Sequence, residues 1–265
     1  MAKIGFIGCG NMATAVIRGV LGKGAVAAQD VVISGSSATR AAEKAAELGV
    51  CSAACNADVV AASDVVFLAV KPQQYEAVIE EVRDLVDEAK VVVTIAPGKT
   101  LAWLDGRFGK EVKIVRCMPN TPALVGEGLT SYCPNDAVTP EELALVEGLL
   151  DCVGVRMRLP EHLIDAASAV GGSAPAFVFA FIEALADGGV AEGLPRAKAL
   201  EVAAQTVLGS AKMVLETGDH PGALKDQVCS PGGSTIKGME VLEKAAFRGA
   251  VIDAVRTTAA AARGL

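Results

Sequence analysis

A strand, a glycine-rich turn and a helix stand at the start of the chain and constrain the fold more than any other segment. The apolar run Ile4–Gly8 leads into Gly8-Cys9-Gly10-Asn11-Met12-Ala13, and a helical pattern follows over Met12–Leu21. The first glycine permits a tight turn, the second lets a pyrophosphate approach the backbone, and Ala13 lets the helix pack closely on the strand. The segment therefore predicts a dinucleotide-binding domain of the Rossmann type.

Strands and helices alternate as far as residue 160. The apolar runs are nearly continuous, as expected for strands that are buried on both faces of a parallel sheet. We therefore predict an α/β fold whose doubly wound sheet occupies residues 1–160. The predicted strands are Ile4–Gly8, Val31–Ser34, Val65–Val70, Val91–Ile95, Lys113–Arg116 and Val153–Arg158, and the predicted helices are Met12–Leu21, Ser37–Leu48, Tyr75–Val86, Leu101–Phe108 and Pro140–Leu150.

After Pro160 the pattern is purely helical, and we predict an all-helical second domain over residues 161–265. Its first helix is apolar on nearly every face, so it must be buried all round. We expect a second subunit to cover it, and a central position in a monomeric bundle is the alternative. The predicted helices are Leu163–Gly188, Arg196–Glu216, Pro221–Val228 and Pro231 to the end.

The most apolar segment of this domain is too short to predict a membrane span. Ala174–Ile182 is about half as long as the roughly 20 residues that a span needs, and Glu183 and Asp187 follow closely. The chain starts Met-Ala-Lys and enters a strand at once, which leaves no room for a signal peptide. We expect a cytoplasmic protein with a buried helix.

The net charge and the cysteine pattern narrow the classes of molecule that the protein could bind and the compartment in which it works. The net charge of −7 and the pI near 5.0 argue against nucleic acid and anionic membranes. Seven scattered cysteines without a CxxC pair are typical of reduced thiols in the cytosol. The two histidines, His162 and His220, stand far apart in the sequence, so we expect no metal site.

The end of the second strand indicates which dinucleotide binds. An acidic residue there would bond the ribose 2′-hydroxyl of NAD, but the chain reads Ser34-Gly35-Ser36-Ser37-Ala38-Thr39-Arg40. Hydroxyl groups and the charge of Arg40 suit a 2′-phosphate. We predict NADP(H) and leave NAD(H) open; a solvated surface position is the alternative for Arg40.

The loops after the third, fourth and fifth predicted strands should border the cofactor, because the carboxyl ends of parallel strands line the crevice. They contain Ala69-Val70-Lys71-Pro72, Ala96-Pro97-Gly98 and Met118-Pro119-Asn120-Thr121-Pro122. We expect the first loop to border the nicotinamide half, with Lys71 pointing outward or toward the cofactor rather than acting in catalysis. The prolines around Asn120 predict a rigid floor for the nicotinamide pocket.

A second anion site is predicted at Ser230-Pro231-Gly232-Gly233-Ser234-Thr235, which opens a helical stretch. Ser230 is expected to be the N-cap and Pro231 a first-turn residue, where a missing N–H costs nothing. The two glycines let a ligand approach the N–H groups of the helix start. Since the first site takes the cofactor phosphates, a substrate carboxylate suits this one. Tight helix packing is the alternative role for the glycines.

Along its entire length the chain resembles the pyrroline-5-carboxylate reductases. The resemblance implies an NAD(P)H-dependent reduction of the cyclic imine 1-pyrroline-5-carboxylate to L-proline, the last step of proline synthesis. It also implies a homodimer with interleaved C-terminal helices, often assembled further into a decamer. The segments that carry it are Phe6-Ile-Gly-Cys-Gly-Asn-Met, Phe67-Leu-Ala-Val-Lys-Pro-Gln, Arg116-Cys-Met-Pro-Asn-Thr-Pro, Ala184-Leu-Ala-Asp-Gly-Gly-Val, Gly193-Leu-Pro-Arg, His220-Pro-Gly, Leu224-Lys-Asp and Ser230-Pro-Gly-Gly-Ser-Thr-Ile.

The same resemblance implies the site residues. The amides of Gly233–Thr235 would hold the substrate carboxylate, and the Thr235 hydroxyl would face the ring nitrogen as the catalytic group. Positions near the substrate map onto Glu161, Gln227, Gly233, Ser234 and Thr235, and cofactor contacts map onto Ile7, Gly8, Cys9, Gly10, Asn11, Met12, Ser34, Ser36, Asn56, Ala69, Val70, Lys71, Pro72, Ala96, Pro97 and Gly98.

Several positions depart from the family pattern, which usually reads Ser-Gly-Ser-Gly-Pro-Ala-Tyr where this chain has Gly171-Gly-Ser-Ala-Pro-Ala-Phe177. Phe177 stands where a tyrosine is usual, so any role of that hydroxyl is absent. Pro97 stands where an alanine is usual, and its loop loses one N–H. Gln227 stands where asparagine is common, which is a milder change.

Two other functions compete with this interpretation. A β-hydroxyacid dehydrogenase has a similar domain pair, but it uses a lysine in a glycine-rich helix as its acid–base group. The comparable segment here, Gly171–Phe177, contains no lysine. A non-catalytic NADP-binding protein would keep the glycine-rich turn, but it would have little reason to keep a carboxylate site.

Overall fold

The computed structural model describes residues 2–262, which divide into two compact units. We call them the sheet unit, with residues 2–173 and 259–262, and the helical unit, with residues 174–258. The division falls after Ser173, beyond the boundary predicted at Pro160, because the helix Glu161–Ser168 packs on the sheet strand Gly128–Pro134. The predicted division at Pro160 into a cofactor domain and a dimerisation and substrate domain stays a prediction.

The described residues of the sheet unit form an eight-stranded sheet in the order β3-β2-β1-β4-β5-β6-β7-β8. The first six strands are parallel, β7 is antiparallel to β6, and β8 is parallel to β7. The carboxyl ends of β1, β2, β4 and β5 therefore meet at one edge. The strands are β1 Ile4–Ile7, β2 Val31–Ser34, β3 Cys51–Ser52, β4 Val65–Leu68, β5 Val91–Thr94, β6 Lys113–Met118, β7 Gly128–Pro134 and β8 Gly154–Arg158.

Seven α-helices accompany the sheet within the described residues. Large apolar side chains fill a core on each face of the sheet, one around the stacked Phe6 and Phe67 rings and the other around Tyr75. The predicted doubly wound α/β fold is confirmed. The helices are α1 Asn11–Gly22, α2 Ala38–Leu48, α3 Asn56–Ala62, α4 Tyr75–Val82, α5 Leu101–Phe108, α6 Pro140–Leu150 and α7 Glu161–Ser168.

Some sheet-unit elements differ from the prediction. The bounds of α5 and α6 are as predicted, whereas α4 ends at Val82 instead of Val86, before a turn into β5. β3, α3 and β7 were not predicted. β7 begins with Gly128, ends with Pro134 and carries Thr130 and Ser131 at its centre, so it lacks a continuous apolar run. Its pairing with β6 and β8 forms the strand in spite of this composition.

Five α-helices follow α7. They are α8 Ala174–Ala191, α9 Arg196–Thr217, α10 Pro221–Val228, α11 Ser234–Lys244 and α12 Phe247–Ala262. The single helix predicted over Leu163–Gly188 is α7 and α8 joined by a π-helical segment at 169–173. The helix predicted from Pro231 onward starts at Ser234 and is interrupted between α11 and α12, where Ala246 has φ 55°.

Apolar side chains of the helical unit are exposed in the single chain. Phe179 of α8 is 60% exposed, and Val178, Phe181 and Leu185 are exposed as well. A central helix in a monomeric bundle would bury these residues, so that alternative is wrong. Their exposure agrees with the expectation that a second subunit covers α8.

One helical stretch of the described residues, Glu161–Ala191, is long and apolar enough to cross a membrane by length and composition. The prediction from Ala174–Ile182 alone underestimated this length, because α7 and the π-helical segment precede α8 without a break. Glu161, Asp165, Glu183 and Asp187 lie within the stretch, and charges are costly inside a bilayer. A helix that packs on a partner protein passes the same test of length and composition.

Candidate functional site

A cavity of about 530 Å³ lies at the carboxyl ends of the central strands of the sheet unit. Nine of the predicted cofactor residues line it: Gly8, Cys9, Gly10, Ser36, Arg40, Asn56, Ala69, Val70 and Lys71. Gly35, Ala41, Lys44, Gln74 and Val78 line it too and were not predicted. The other predicted cofactor residues do not line this cavity: Ile7, Asn11, Met12, Ser34, Pro72, Ala96, Pro97, Gly98 and Asn120.

The glycine-rich turn has the backbone geometry that a pyrophosphate needs. Gly8 has φ 87°, and a Cβ there would lie 2.7 Å from a methyl carbon of Val70. Gly10 is the N-cap of α1, and a Cβ built on it meets no described atom within 4 Å. No side chain of the described residues caps this helix start, so its first N–H groups are open to an anion.

Two cations lie at the α2 end of the cavity. The Ser37 side chain caps α2 by accepting the Arg40 N–H at 3.3 Å, and the Arg40 guanidinium donates to the Ser36 hydroxyl at 3.4 Å. Lys44 follows four residues later, on the same face of α2. Its ammonium also donates to Glu47 at 2.8 Å. None of the described lining residues is acidic, so this end of the cavity suits a 2′-phosphate.

Ser34 supports the cavity through a neighbour. Its side chain is buried, and its hydroxyl donates to the Asn56 amide oxygen at 2.7 Å. The Asn56 amide nitrogen donates in turn to Glu81 at 2.7 Å. These two bonds fix the orientation of the Asn56 side chain, which lines the cavity itself.

Tyr75 ties together the loops that follow β4 and β5. The side chain is fully buried, its hydroxyl donates to the Leu68 carbonyl oxygen, and it accepts the Ile95 N–H at 3.2 Å. Burial raises the pKa of this hydroxyl well above its ordinary value, so it stays protonated and keeps its donor. The sequence did not predict this role, because no local pattern indicates which backbone groups a tyrosine at the start of a helix will contact.

Four of the other predicted cofactor residues lie at defined positions of the sheet unit, while Asn11 and Pro97 are exposed and Met12 and Pro72 are partly exposed. Ile7 is fully buried in a core of the sheet unit, and Ala96 is nearly so. Gly98 has φ 71°, which a residue with a side chain rarely adopts. Asn120 uses both ends of its amide within the sheet unit, donating to the Gly171 carbonyl at 2.9 Å and accepting the Leu129 N–H at 2.8 Å.

Cys9 is the one predicted cavity residue with a thiol. Burial raises the pKa of the Cys9 thiol, which stays protonated at neutral pH. All seven cysteines are free, and no group of three or more His, Cys, Asp or Glu side chains that could hold a metal ion occurs among residues 2–262.

Glu161 has protein partners inside the sheet unit. Its Oε1 accepts the Leu101 N–H at 2.7 Å and a guanidinium N–H of Arg116 at 3.0 Å. These bonds put the Glu161 carboxylate at the N-terminus of α5, and its predicted position near the substrate stays a prediction.

The predicted anion site of the helical unit begins three residues later than expected. Ser230 is not the N-cap: its carbonyl oxygen accepts the Gly233 N–H at 3.0 Å, and Pro231 and Gly232 form a turn, with Gly232 at φ 70°. Gly233 is the N-cap of α11, and no described side chain caps it. The first N–H groups of α11 are therefore open, and Ser234 and Thr235 stand in the first turn.

The other predicted substrate-side residues are accessible in the single chain. Ser234 and Thr235 are exposed, Gly233 is partly exposed, and Gln227 lies exposed on α10. Phe177 is partly buried in α8.

Two family models match the chain. The one described as pyrroline-5-carboxylate reductase dimerisation matches residues 161–265. The one described as NADP oxidoreductase coenzyme F420-dependent matches residues 3–98. The two matches fall on the helical half and on the cavity-bearing half of the chain.

Relatives and solved structures match nearly the full length. The chain is 47% identical to the pyrroline-5-carboxylate reductase of Escherichia coli K12, over 96% of this chain and 94% of that protein. It is similar to the crystal structure of Plasmodium falciparum pyrroline carboxylate reductase with NADP bound, with a TM-score of 0.91, 31% identity and coverage of 99% and 97%. It is also similar to 1-pyrroline-5-carboxylate reductase from Streptococcus pyogenes, with a TM-score of 0.90, 36% identity and coverage of 100% and 99%.

Proposed function

The chain belongs to the pyrroline-5-carboxylate reductase family, and on that premise we propose how its own residues carry out the reduction. It is an NADP(H)-dependent oxidoreductase that converts the imine 1-pyrroline-5-carboxylate to L-proline, the last step of proline biosynthesis. The observation that carries the assignment is the match of both halves over almost the whole chain. The β-hydroxyacid dehydrogenase and the non-catalytic NADP-binding protein are set aside by that match.

The sheet-unit cavity is the proposed cofactor site. The open N–H groups at the start of α1, with Gly8 and Gly10, would hold the pyrophosphate. Arg40, Lys44 and the Ser36 hydroxyl would hold the 2′-phosphate, and we therefore propose a preference for NADP over NAD. The backbone of Ala69–Pro72, the Ala96–Gly98 loop and Asn120 are proposed for the nicotinamide side. The preference for NADPH does not exclude NADH.

The start of α11 is the proposed site of the substrate carboxylate. Its N–H groups at Gly233–Thr235 are open, and the positive end of the helix dipole favours an anion there. Gln227 and Ser234 are proposed as neighbouring polar contacts. This local site is needed because the net charge of −7 would otherwise repel an anionic substrate.

The reaction requires the protein mainly to bind the substrate and the cofactor and to orient them. Bound NADPH would supply a hydride to the carbon of the imine whose nitrogen is protonated, and the C=N bond would become a single bond as its π electron pair moves to that nitrogen. The α11 amides fix the carboxylate and thereby the face of the ring. The Thr235 hydroxyl is proposed to hydrogen-bond the ring nitrogen and to hold its proton. No histidine is proposed as a general acid.

The assay that tests the function follows NADPH absorbance. Purified protein should consume NADPH in the presence of 1-pyrroline-5-carboxylate and form proline in equal amount. It should not reduce NADP when a 3-hydroxy acid is offered. Turnover of the hydroxy acid alone would support a dehydrogenase, and NADPH binding without either reaction would support a binding protein.

Thr235→Ala tests the proposed catalytic group. Loss of one hydrogen bond to a charged ring nitrogen should lower kcat/KM for the imine by about ten- to a hundredfold, while the Kd for NADPH stays unchanged. Thr206→Ala, on the exposed face of α9, is the matched control. Unchanged imine kinetics in Thr235→Ala would remove this residue from the mechanism.

The chain forms a dimer through the region that the dimerisation model matches. Assembly of dimers into a decamer, a cytoplasmic location, and the lack of membrane and nucleic-acid partners are proposals. The decamer rests on the family resemblance alone, while the location and the lack of these partners rest on the acidic charge and the free cysteines. Light scattering during size-exclusion chromatography distinguishes two copies from ten.

A further inference from the structure

Arg116 of β6 is a charged side chain in the interior of the sheet unit, with an exposed fraction of only 1%. Its two terminal nitrogens each meet a carboxylate of α7, Glu161 at 3.0 Å and Asp165 at 2.7 Å. A buried guanidinium is costly unless its charge is paired and hydrogen-bonded. Each acid pairs with one terminal nitrogen, while the Arg116 Nε has no hydrogen-bond partner among the described residues, and the two acids differ in what else they contact.

Only Glu161, of these two acids, reaches the backbone of another element within the described residues. Its Oε1 accepts the Leu101 N–H at 2.7 Å while it also accepts from Arg116. Leu101 is the first residue of α5, so its N–H is one of the four donors that a helix start leaves without a partner. A carboxylate at that end is further stabilised by the helix dipole.

The loop between β5 and α5 is thereby held at both ends. At its start, the Ile95 N–H donates to the Tyr75 hydroxyl at 3.2 Å. At its end, the Leu101 N–H donates to Glu161, and Thr100 caps α5 by accepting the Trp103 N–H at 3.1 Å. Between these anchors lies Ala96-Pro97-Gly98, where Gly98 holds a left-handed φ of 71°.

We infer that Arg116 and Glu161 form a positioning pair that sets the Ala96–Gly98 loop for the cofactor, and that Glu161 acts through the Leu101 N–H rather than on the substrate. Arg116 orients the carboxylate, and the carboxylate fixes the N-terminus of α5. The inference rests on the proposed function in that the loop borders the nicotinamide. One oxygen of Glu161 makes both bonds, so the position of that oxygen matters more than the charge.

Three variants test the positioning pair. Glu161→Ala removes the acceptor but leaves Arg116 paired with Asp165, so the fold should survive. Asp165→Ala is the matched control, because it removes an equal ion pair without touching α5. Glu161→Gln keeps one acceptor oxygen for the Leu101 N–H, removes the charge and replaces the other oxygen by an NH2 group.

The readout is the Kd for NADPH. We expect an increase of about tenfold in Glu161→Ala, the size of one lost hydrogen bond to a charged group, and less than about threefold in the other two variants. If Glu161→Gln lost as much affinity for NADPH as Glu161→Ala, the positioning role would be contradicted and a charge that acts on the substrate would be favoured. Equal losses in Glu161→Ala and Asp165→Ala, or no loss in either, would overturn the inference too.

A second readout does not depend on the cofactor. Trp103 is the sole tryptophan of the chain and stands in the first turn of α5. Hydrogen exchange at the Leu101 amide and quenching of Trp103 fluorescence by acrylamide should both increase in Glu161→Ala and stay at the wild-type level in Asp165→Ala. If wild-type protein failed to bind NADPH, the proposed function would fail, and unchanged Leu101 exchange in Glu161→Ala would separately refute the pair.

Discussion

The sheet unit and the helical unit bury very different side chains. The sheet unit buries large apolar groups on both faces of its sheet, including Phe6, Phe67 and Tyr75. In the helical unit the buried cluster of the described residues is three alanines, Ala186, Ala199 and Ala203. Its large apolar residues are exposed instead, among them Phe179, Leu208 and Leu215.

The difference shows which half of the chain is complete in one copy. Burial of large apolar groups supplies most of the stability of a domain, and three alanines supply little. The sheet unit therefore needs no partner for its core or for its cofactor cavity. We expect the helical unit to gain its core when a second copy covers it, which gives a physical reason for a dimerisation region.

The largest effect is expected from a core truncation in the sheet unit. Phe67 is fully buried and its ring stacks on Phe6 with centroids 4.7 Å apart. Phe67→Ala should lower the free energy of unfolding of this unit by about 3–5 kcal/mol. Urea unfolding followed by Trp103 fluorescence measures it, because that residue lies in the sheet unit.

The same truncation at an exposed phenylalanine is the control. Phe179→Ala should leave the urea midpoint reported by Trp103 within error of wild type. An equal shift in the two variants would contradict the view that the sheet unit is stable by itself.

The next effect concerns the exposed face of α8. Phe179→Asp should raise the dissociation constant of the dimer by about thirty- to a thousandfold, since a charge replaces an aromatic anchor in a desolvated interface. Sedimentation equilibrium measures the constant. Val125→Asp, at a valine of the sheet unit that is 77% exposed, should leave the dimer intact. A dimer of wild-type affinity in Phe179→Asp would show that the partner does not cover this face.

A smaller effect is expected within the cofactor cavity. Arg40→Glu combined with Lys44→Glu should raise the KM for NADPH by about ten- to a hundredfold and leave the KM for NADH nearly unchanged, because only NADPH carries the 2′-phosphate. Arg83→Glu combined with Lys110→Glu, two positions outside the cavity, makes the same change of −4 in net charge and is the control. An equal rise in the KM for NADPH and the KM for NADH would argue against a 2′-phosphate site at Arg40 and Lys44.

The smallest effect concerns thiol reactivity. The thiolate is the reactive form, and the raised pKa of Cys9 reduces the thiolate fraction at neutral pH. Cys9 should therefore react with iodoacetamide more slowly than the exposed Cys51 and Cys55. The rate of its reaction should increase as the pH rises, and bound NADP should protect it. Mass spectrometry of the labelled peptides measures this order. Fast labelling of Cys9 at neutral pH, unaffected by NADP, would place it outside the cofactor site.

The sequence predicted best where signals are local. The turn at Gly8–Ala13 and the bounds of α5 and α6 depend on glycine, proline and capping residues within a few positions. Lys44 could have been found as well, because it follows Arg40 by one helical turn. The carboxyl-end loops were found because parallel strands place their ends together.

Features that depend on distant parts of the chain could not be read in this way. The bonds of Glu161 join residues 60 and 45 positions apart, and no local pattern encodes them. The start of α11 was misjudged for a local reason, because Ser230 closes the preceding turn by accepting the Gly233 N–H with its carbonyl oxygen, whereas its hydroxyl had suggested an N-cap. The family resemblance supplied the substrate, which neither periodicity nor composition indicates.

The central claim is that the sheet unit is a complete cofactor-binding unit, while the helical unit is completed only by a second copy. Equilibrium binding of NADPH to Phe179→Asp, at concentrations where that variant is monomeric, tests it most directly. We predict a Kd within about twofold of the wild-type dimer, because the cavity draws its lining from the sheet unit alone. A monomer that is folded by circular dichroism yet has lost NADPH binding would contradict the claim.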